Sequence, residues 1–77
     1  MITVKLFGLL RLDSGIREME LEAASVREVF EKLESTGKLT KKELKGCVIL
    51  VNGKQANQRS KLFSGDTVTL LSPVAGG

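Results

Sequence analysis

Histidine, tryptophan and tyrosine are absent from this 77-residue chain, and cysteine and proline occur once each, as Cys47 and Pro73. Without histidine there is no imidazole acid/base catalysis. A single cysteine with no histidine cannot build a zinc or iron–sulfur site that needs several such ligands. Nor can it close a disulfide within the chain, which fits a reducing compartment. Long apolar runs are missing as well, since nothing approaches the ~20 residues that cross a bilayer. The opening Met1-Ile2-Thr3-Val4-Lys5 alternates in polarity and lacks the apolar run of a signal peptide. No membrane partner is expected, and the expected location is cytoplasmic.

What is present points to one ordinary globular domain. Apolar residues make up 42% of the chain and charged residues 27%. A chain this short buries only ~60% of the surface its unfolded form exposes, which leaves no side chains to spare for a deep catalytic pocket. The net charge is +3, and Lys38, Lys41, Lys42 and Lys45 lie close together. Basic domains attract phosphate. Yet the three Phe residues do not alternate with basic ones as a base-stacking platform requires. The lysines therefore read as a solvated stretch, with an acidic protein surface as the other option. Nucleic acid is not an expected partner.

Ile2 to Phe7 alternates in polarity, as does Ile16 to Glu22, and Asp13-Ser14-Gly15 between them is a turn cluster. The two runs read as an antiparallel hairpin. Ser25-Val26-Arg27-Glu28 fits a capping box, with Ser25 accepting from the amide of Glu28 and Glu28 reaching back to that of Ser25. Behind it Val26, Val29, Phe30 and Leu33 form one helical stripe, which Gly37 stops. Thr40 to Lys45 fits a short helical turn or a loop. Cys47 to Val51 is a continuous apolar run, the mark of a strand covered on both sides or interior to a sheet. Asn52-Gly53 is a hairpin signal. Leu62-Phe63 is a small apolar anchor, Ser64-Gly65-Asp66 a turn, and Thr67 to Leu71 the last strand. Pro73, with no amide hydrogen, ends sheet pairing.

A helix that follows a hairpin must cover one face of the sheet, because its apolar stripe has nowhere else to go. The expected fold is thus α+β: a β-grasp, or ubiquitin-like, mixed sheet of four to five strands with one main helix across it. Residues 1–72 form the domain, and residues 73–77 are expected to be a flexible C-terminal Gly-Gly tail.

That tail holds the reactive group. Glycine has no Cβ, so an extended Gly76-Gly77 end can thread a channel too narrow for other residues. Fully extended, Pro73 to Gly77 would reach about 16 Å. At the tip stands the α-carboxylate of Gly77, a poor electrophile until transfer of AMP from ATP makes it a mixed anhydride. A persulfide sulfur can then displace AMP, and the product is a C-terminal thiocarboxylate. A frayed end without chemistry is the plain alternative.

Four segments carry a resemblance to a known family. They are Leu6-Phe7-Gly8-Leu9-Leu10-Arg11, the Val51-Asn52 hairpin, the Leu62…Gly65-Asp66…Val68 spacing, and Ser72-Pro73-Val74-Ala75-Gly76-Gly77. Together, over nearly the whole chain, they resemble the sulfur carriers that include the small subunit of molybdopterin synthase and the thiazole-synthesis carrier. The resemblance implies a ubiquitin-activating-like adenylyltransferase that adenylates Gly77 with ATP, and a sulfurtransferase that installs the sulfur. It also implies a large catalytic synthase subunit that takes in Pro73, Val74, Ala75 and Gly76 and moves sulfur onto a pterin precursor of the molybdenum or tungsten cofactor. The chain itself would bind no cofactor stably and would be the non-catalytic subunit. Arg11 matches a position used near the activating enzyme, while Phe7 and Leu71 match an apolar docking patch. Ser72 stands where proline is common, and Gln55 where an apolar contact residue is usual.

Other readings of the residues stay open. Phe7 and Leu71 also fit half-buried sheet positions, and Arg11 a solvated loop cation. Cys47 reads as a small core residue with a raised pKa, since no base is at hand to activate it. Asp66 and Glu28 read as turn and capping residues. The alternatives in function are a carrier for thiazole or another thiolated metabolite, a ubiquitin-like modifier joined to lysines through Gly77, and a plain interaction domain.

Overall fold

Ile2, Val4 and Leu6 are almost wholly buried and alternate with more exposed neighbours, which is what a strand with one covered face requires. In the computed structural model, which describes residues 1–72, they belong to strand β1 (Ile2–Phe7). The chain continues through helix α1 (Leu9–Ser14), β2 (Glu18–Leu21), α2 (Val26–Ser35), α3 (Lys41–Lys45), β3 (Val48–Val51), β4 (Lys54–Gln55) and β5 (Thr67–Leu71). The five strands form one sheet in the order β2-β1-β5-β3-β4. β1 and β5 run parallel at its centre and every other pairing is antiparallel, so the sheet is mixed, as expected. The 72/73 boundary and the tail expected over Pro73, Val74, Ala75, Gly76 and Gly77 lie at or outside the limit of the described residues.

The helix stripe supplies the other half of the core. Val26, Val29, Phe30 and Leu33 are all buried, against Ile2, Val4, Leu6, Val68 and Leu70 from the central strands. Ser25 Oγ accepts from the amide of Glu28 at 3.3 Å, as the capping pattern predicts. Glu28, however, reaches one residue further than expected, with Oε1 accepting from the amide of Ala24 at 3.3 Å. Two more amides at this helix start are satisfied by the 57–62 loop: Val26 donates to Ser60 and Arg27 to Gln58.

Several expectations need correction. Asp13-Ser14-Gly15 is not a simple hairpin turn but the end of α1, with Gly15 in the left-handed region (φ 74°) closing the helix onto the carbonyl of Arg11. The helix is too short to show a period. Only Leu10 and Ser14, four residues apart, are buried, and the Ser14 hydroxyl is satisfied by donating to the Leu10 carbonyl at 2.6 Å. Of the two readings of the lysine-rich stretch, the short helical turn holds and the loop does not: Lys41–Lys45 forms α3 behind a Thr40/Glu43 capping box, with its lysines exposed. β3 is interior to the sheet but not covered on both sides, since Ile49 is buried while Val48 is 43% exposed. Of the Leu62-Phe63 anchor only Leu62 is buried; Phe63 is 70% exposed. Asn52-Gly53 turns β3 into β4 with positive φ at both residues (52° and 83°), the mirror-image turn that matches strand twist.

Candidate functional site

The pleat sends alternate residues of the central strands to the face away from α2. On β1 these are Thr3, Lys5 and Phe7, on β5 Thr67, Thr69 and Leu71, and on β3 Val48 and Leu50. Register sorts them into rows. Thr3 pairs with Thr67 and Lys5 with Thr69, so two rows are polar across β1 and β5. The end row runs Phe7, Leu71, Val48, and it is apolar throughout.

Phe7 is 40% exposed, and half-buried Leu71 sits between it and Val48. Leu50, half-buried one step along β3, extends the patch. Single exposed apolar side chains are ordinary, but three in register with Leu50 beside them are contiguous surface that a partner can cover at ~25 cal/mol per Å². The row lies where β5 ends, so the chain passes from it through Ser72 into residues 73–77. Phe7 and Leu71 therefore stand together, as the sequence allowed. Val48 and Leu50 were missed because an unbroken apolar run hides which residues face outward.

Just past Phe7 comes α1. Its half-buried Arg11 joins Lys5, Leu6, Phe7, Arg17 and Glu18 around a shallow depression of about 370 Å³. Three cations face one carboxylate there, so the depression is net positive and favours an acidic partner group. Arg11 and Phe7 are thus brought to one place, whereas Pro73, Val74, Ala75, Gly76 and Gly77 lie outside the described residues.

The corner joining β1 to α1 also holds the end of β5. Ser72 Oγ accepts a hydrogen bond from the amide of Leu9 at 2.6 Å and donates to the carbonyl of Phe7 at 3.4 Å. Gly8 between them has φ 67°, and a Cβ there would collide with Ser72 Oγ. Gln55 is exposed on β4 opposite Leu50, at the rim of the apolar patch.

Residues 4–77 match the ThiS family. The chain belongs to this family of sulfur carriers. The fold of this ThiS-family protein is that of small archaeal modifier protein SAMP1 from Haloferax volcanii, at TM-score 0.86 and 24% identity over 99% of this chain and 98% of that one. It is also similar to a chain from the complex of subunits 1 and 2 of molybdopterin-converting factor from Helicobacter pylori. That match has TM-score 0.74 and 28% identity over 99% and 97% of the two chains. A third similar chain comes from the BexX/CysO complex of Amycolatopsis orientalis, with TM-score 0.75 and 28% identity over the full length of both. No curated protein sequence matches this ThiS-family chain.

Elsewhere among the described residues the ThiS-family protein offers little chemistry. A wider groove of about 620 Å³ is lined by Arg27, Phe30, Glu31, Glu34, Lys41, Lys45 and Gln58. Its three cations and two carboxylates are solvated helix-surface residues with no nucleophile among them. Burial pushes the Cys47 thiol up to about 11, so it packs against the core as a small apolar residue. Asp66 serves its turn: Oδ2 accepts from the amide of Phe63 at 2.8 Å and Oδ1 from the Asn52 side chain at 3.0 Å. Those bonds hold its carboxyl below the ordinary value. Among the described residues no three His, Cys, Asp or Glu cluster to hold a metal. Nor is any helix among them long and apolar enough to cross a membrane.

Proposed function

We propose that this protein is a sulfur carrier activated at Gly77 and serves as the small subunit of a molybdopterin synthase. The observation that carries this reading is the apolar row Phe7–Leu71–Val48, at the end of the sheet from which the chain runs on to Gly76-Gly77 in a ThiS-family member. Support for a two-subunit arrangement comes from the similar Helicobacter pylori chain, which belongs to a complex of two subunits of molybdopterin-converting factor. The row seats the catalytic large subunit, Arg11 engages the adenylyltransferase, and Pro73, Val74, Ala75 and Gly76 thread the active sites.

The chemistry runs in three steps. The Gly77 carboxylate attacks the α-phosphorus of ATP, forming an acyl adenylate and releasing pyrophosphate. The terminal sulfur of a sulfurtransferase persulfide attacks the acyl carbon, and AMP leaves. A thiol then reduces the resulting acyl disulfide, giving the thiocarboxylate on the carrier and a disulfide on the donor side. Each step uses groups supplied by partners, and the carrier contributes its terminus and its docking surface. Side-chain-free glycines at the end let an enclosing channel close on the backbone.

Intact mass after incubation with its activating enzyme, a sulfur donor and ATP tests this. Exchange of one terminal oxygen for sulfur is the expected result. A ladder of lysine conjugates would instead assign a protein modifier, and an unchanged mass under competent conditions would leave a plain interaction domain. Transfer of the sulfur to a pterin precursor by the large subunit, and not to a thiazole precursor, fixes the branch.

A further inference from the structure

We propose that Ser72 is a positioning residue: its hydroxyl latches the start of the C-terminal segment to the β1–α1 corner, beside the docking row. The inference rests on the carrier reading for its consequence, though its structural content stands alone. Helix α1 begins at Leu9 behind Gly8, which has no side chain to cap it. The missing cap comes from 63 residues away, where Ser72 Oγ accepts the Leu9 amide hydrogen at 2.6 Å. The same hydroxyl points its own hydrogen at the Phe7 carbonyl, at 3.4 Å. One side chain thus ties together the end of β5, the end of β1 and the start of the helix that bears Arg11.

The opposing residue is fitted to this contact. Gly8 has φ 67°, which other residues resist, and a Cβ on it would clash with Ser72 Oγ where that atom now stands. Absence of a side chain at 8 and presence of a hydroxyl at 72 are two halves of one contact. Because Phe7 lies in the docking row and Arg11 two residues past Leu9, the latch fixes where the last five residues start relative to both surfaces. A partner bound to those surfaces meets the start of the segment in one place, so less ordering is required on binding. Proline at 72 would have no hydroxyl to offer.

The test uses the full chain with its adenylating enzyme and amide hydrogen exchange. Ser72→Ala should raise KM for adenylation about fivefold, the range for loss of one hydrogen bond, with kcat unchanged, and should speed exchange at Leu9 while Val4 and Val68 keep their protection. Ser72→Thr, which keeps the hydroxyl, should restore both. Gly8→Ala should also speed exchange at Leu9, with an added cost in stability from its positive φ, and the double variant should be no worse than Gly8→Ala alone. Fast Leu9 exchange with a wild-type KM in Ser72→Ala would overturn the positioning role, and unchanged Leu9 exchange would overturn the latch itself. Failure of the wild-type chain to be adenylated would count against the carrier reading instead, leaving the latch to stand or fall on Leu9 exchange.

Discussion

At the scale of single residues, exposure and chemistry separate cleanly. Phe7 and Val48 flank Leu71 and leave much of their surface in water, so truncating them removes little from the core. Phe7→Ala should leave the melting temperature nearly unchanged and weaken binding to the proposed large subunit about tenfold or more, as aromatic anchors do. Val48→Ala should weaken it less, and titration calorimetry with the purified partner measures both. Cys47 behaves in the opposite way. A thiol that burial pushes up to about 11 presents roughly a hundredfold less thiolate near neutrality than an ordinary cysteine. Alkylation by iodoacetamide at pH 7.5 should therefore be slow in the folded protein and rise to the free-thiol rate in urea. Equal rates in both states would show that Cys47 is not held by the core. The sign of its linkage follows: the unfolded thiol ionises first as pH rises past its own value, so stability falls from about pH 9 upward.

At the scale of elements, the connections decide how the strands meet. Asn52 occupies the first position of the β3–β4 turn with φ 52°, and its side chain joins that turn to β5. Its Oδ1 accepts from the amide of Thr67 at 3.0 Å, and its Nδ2 donates to Asp66 at 3.0 Å. Asn52→Ala loses both bonds and suffers at positive φ, so urea denaturation should show a loss of about 1–3 kcal/mol. Asn52→Gly, relieved of the φ strain alone, should recover part. Asp66 has a depressed folded pKa, so its stabilisation is present above the unfolded value and lost as pH falls through the folded one. In Asn52→Ala one cause of that depression is gone, and the drop in stability below about pH 4 should shrink. This turn was legible in the sequence because Asn-Gly carries its own geometry, and α2 because its stripe spans several helical turns. α1 was not, since six residues that bury only Leu10 and Ser14 leave no period to read. The apolar row was half legible. Phe7 and Leu71 alternate with polar neighbours, whereas Val48 is hidden in a run whose inward and outward residues are all apolar. The Ser72 contact was illegible, because no local pattern joins residues 63 positions apart.

At the scale of the molecule, the described core and the proposed chemistry occupy different parts of the chain. Among the described residues, every buried apolar residue of the core lies between Ile2 and Leu70, while the proposed reactive acid is at Gly77. Substitutions should therefore sort into two classes that fail different assays. Leu70→Ala removes a side chain buried completely between β1 and β3 and should cost about 2–5 kcal/mol. Whatever fraction remains folded should still be adenylated at the normal rate, because the terminus is untouched. Gly76→Ala should do the reverse, keeping the wild-type denaturation curve and losing activation, because an added methyl blocks a channel shaped for backbone. Measuring urea curves and ATP–pyrophosphate exchange on both variants makes the comparison. Normal exchange in Gly76→Ala would remove the narrow channel from the mechanism while leaving the apolar row and the proposed latch in place. Loss of exchange in fully folded Leu70→Ala would mean that the activating enzyme reads the core strands as well as the end of the chain.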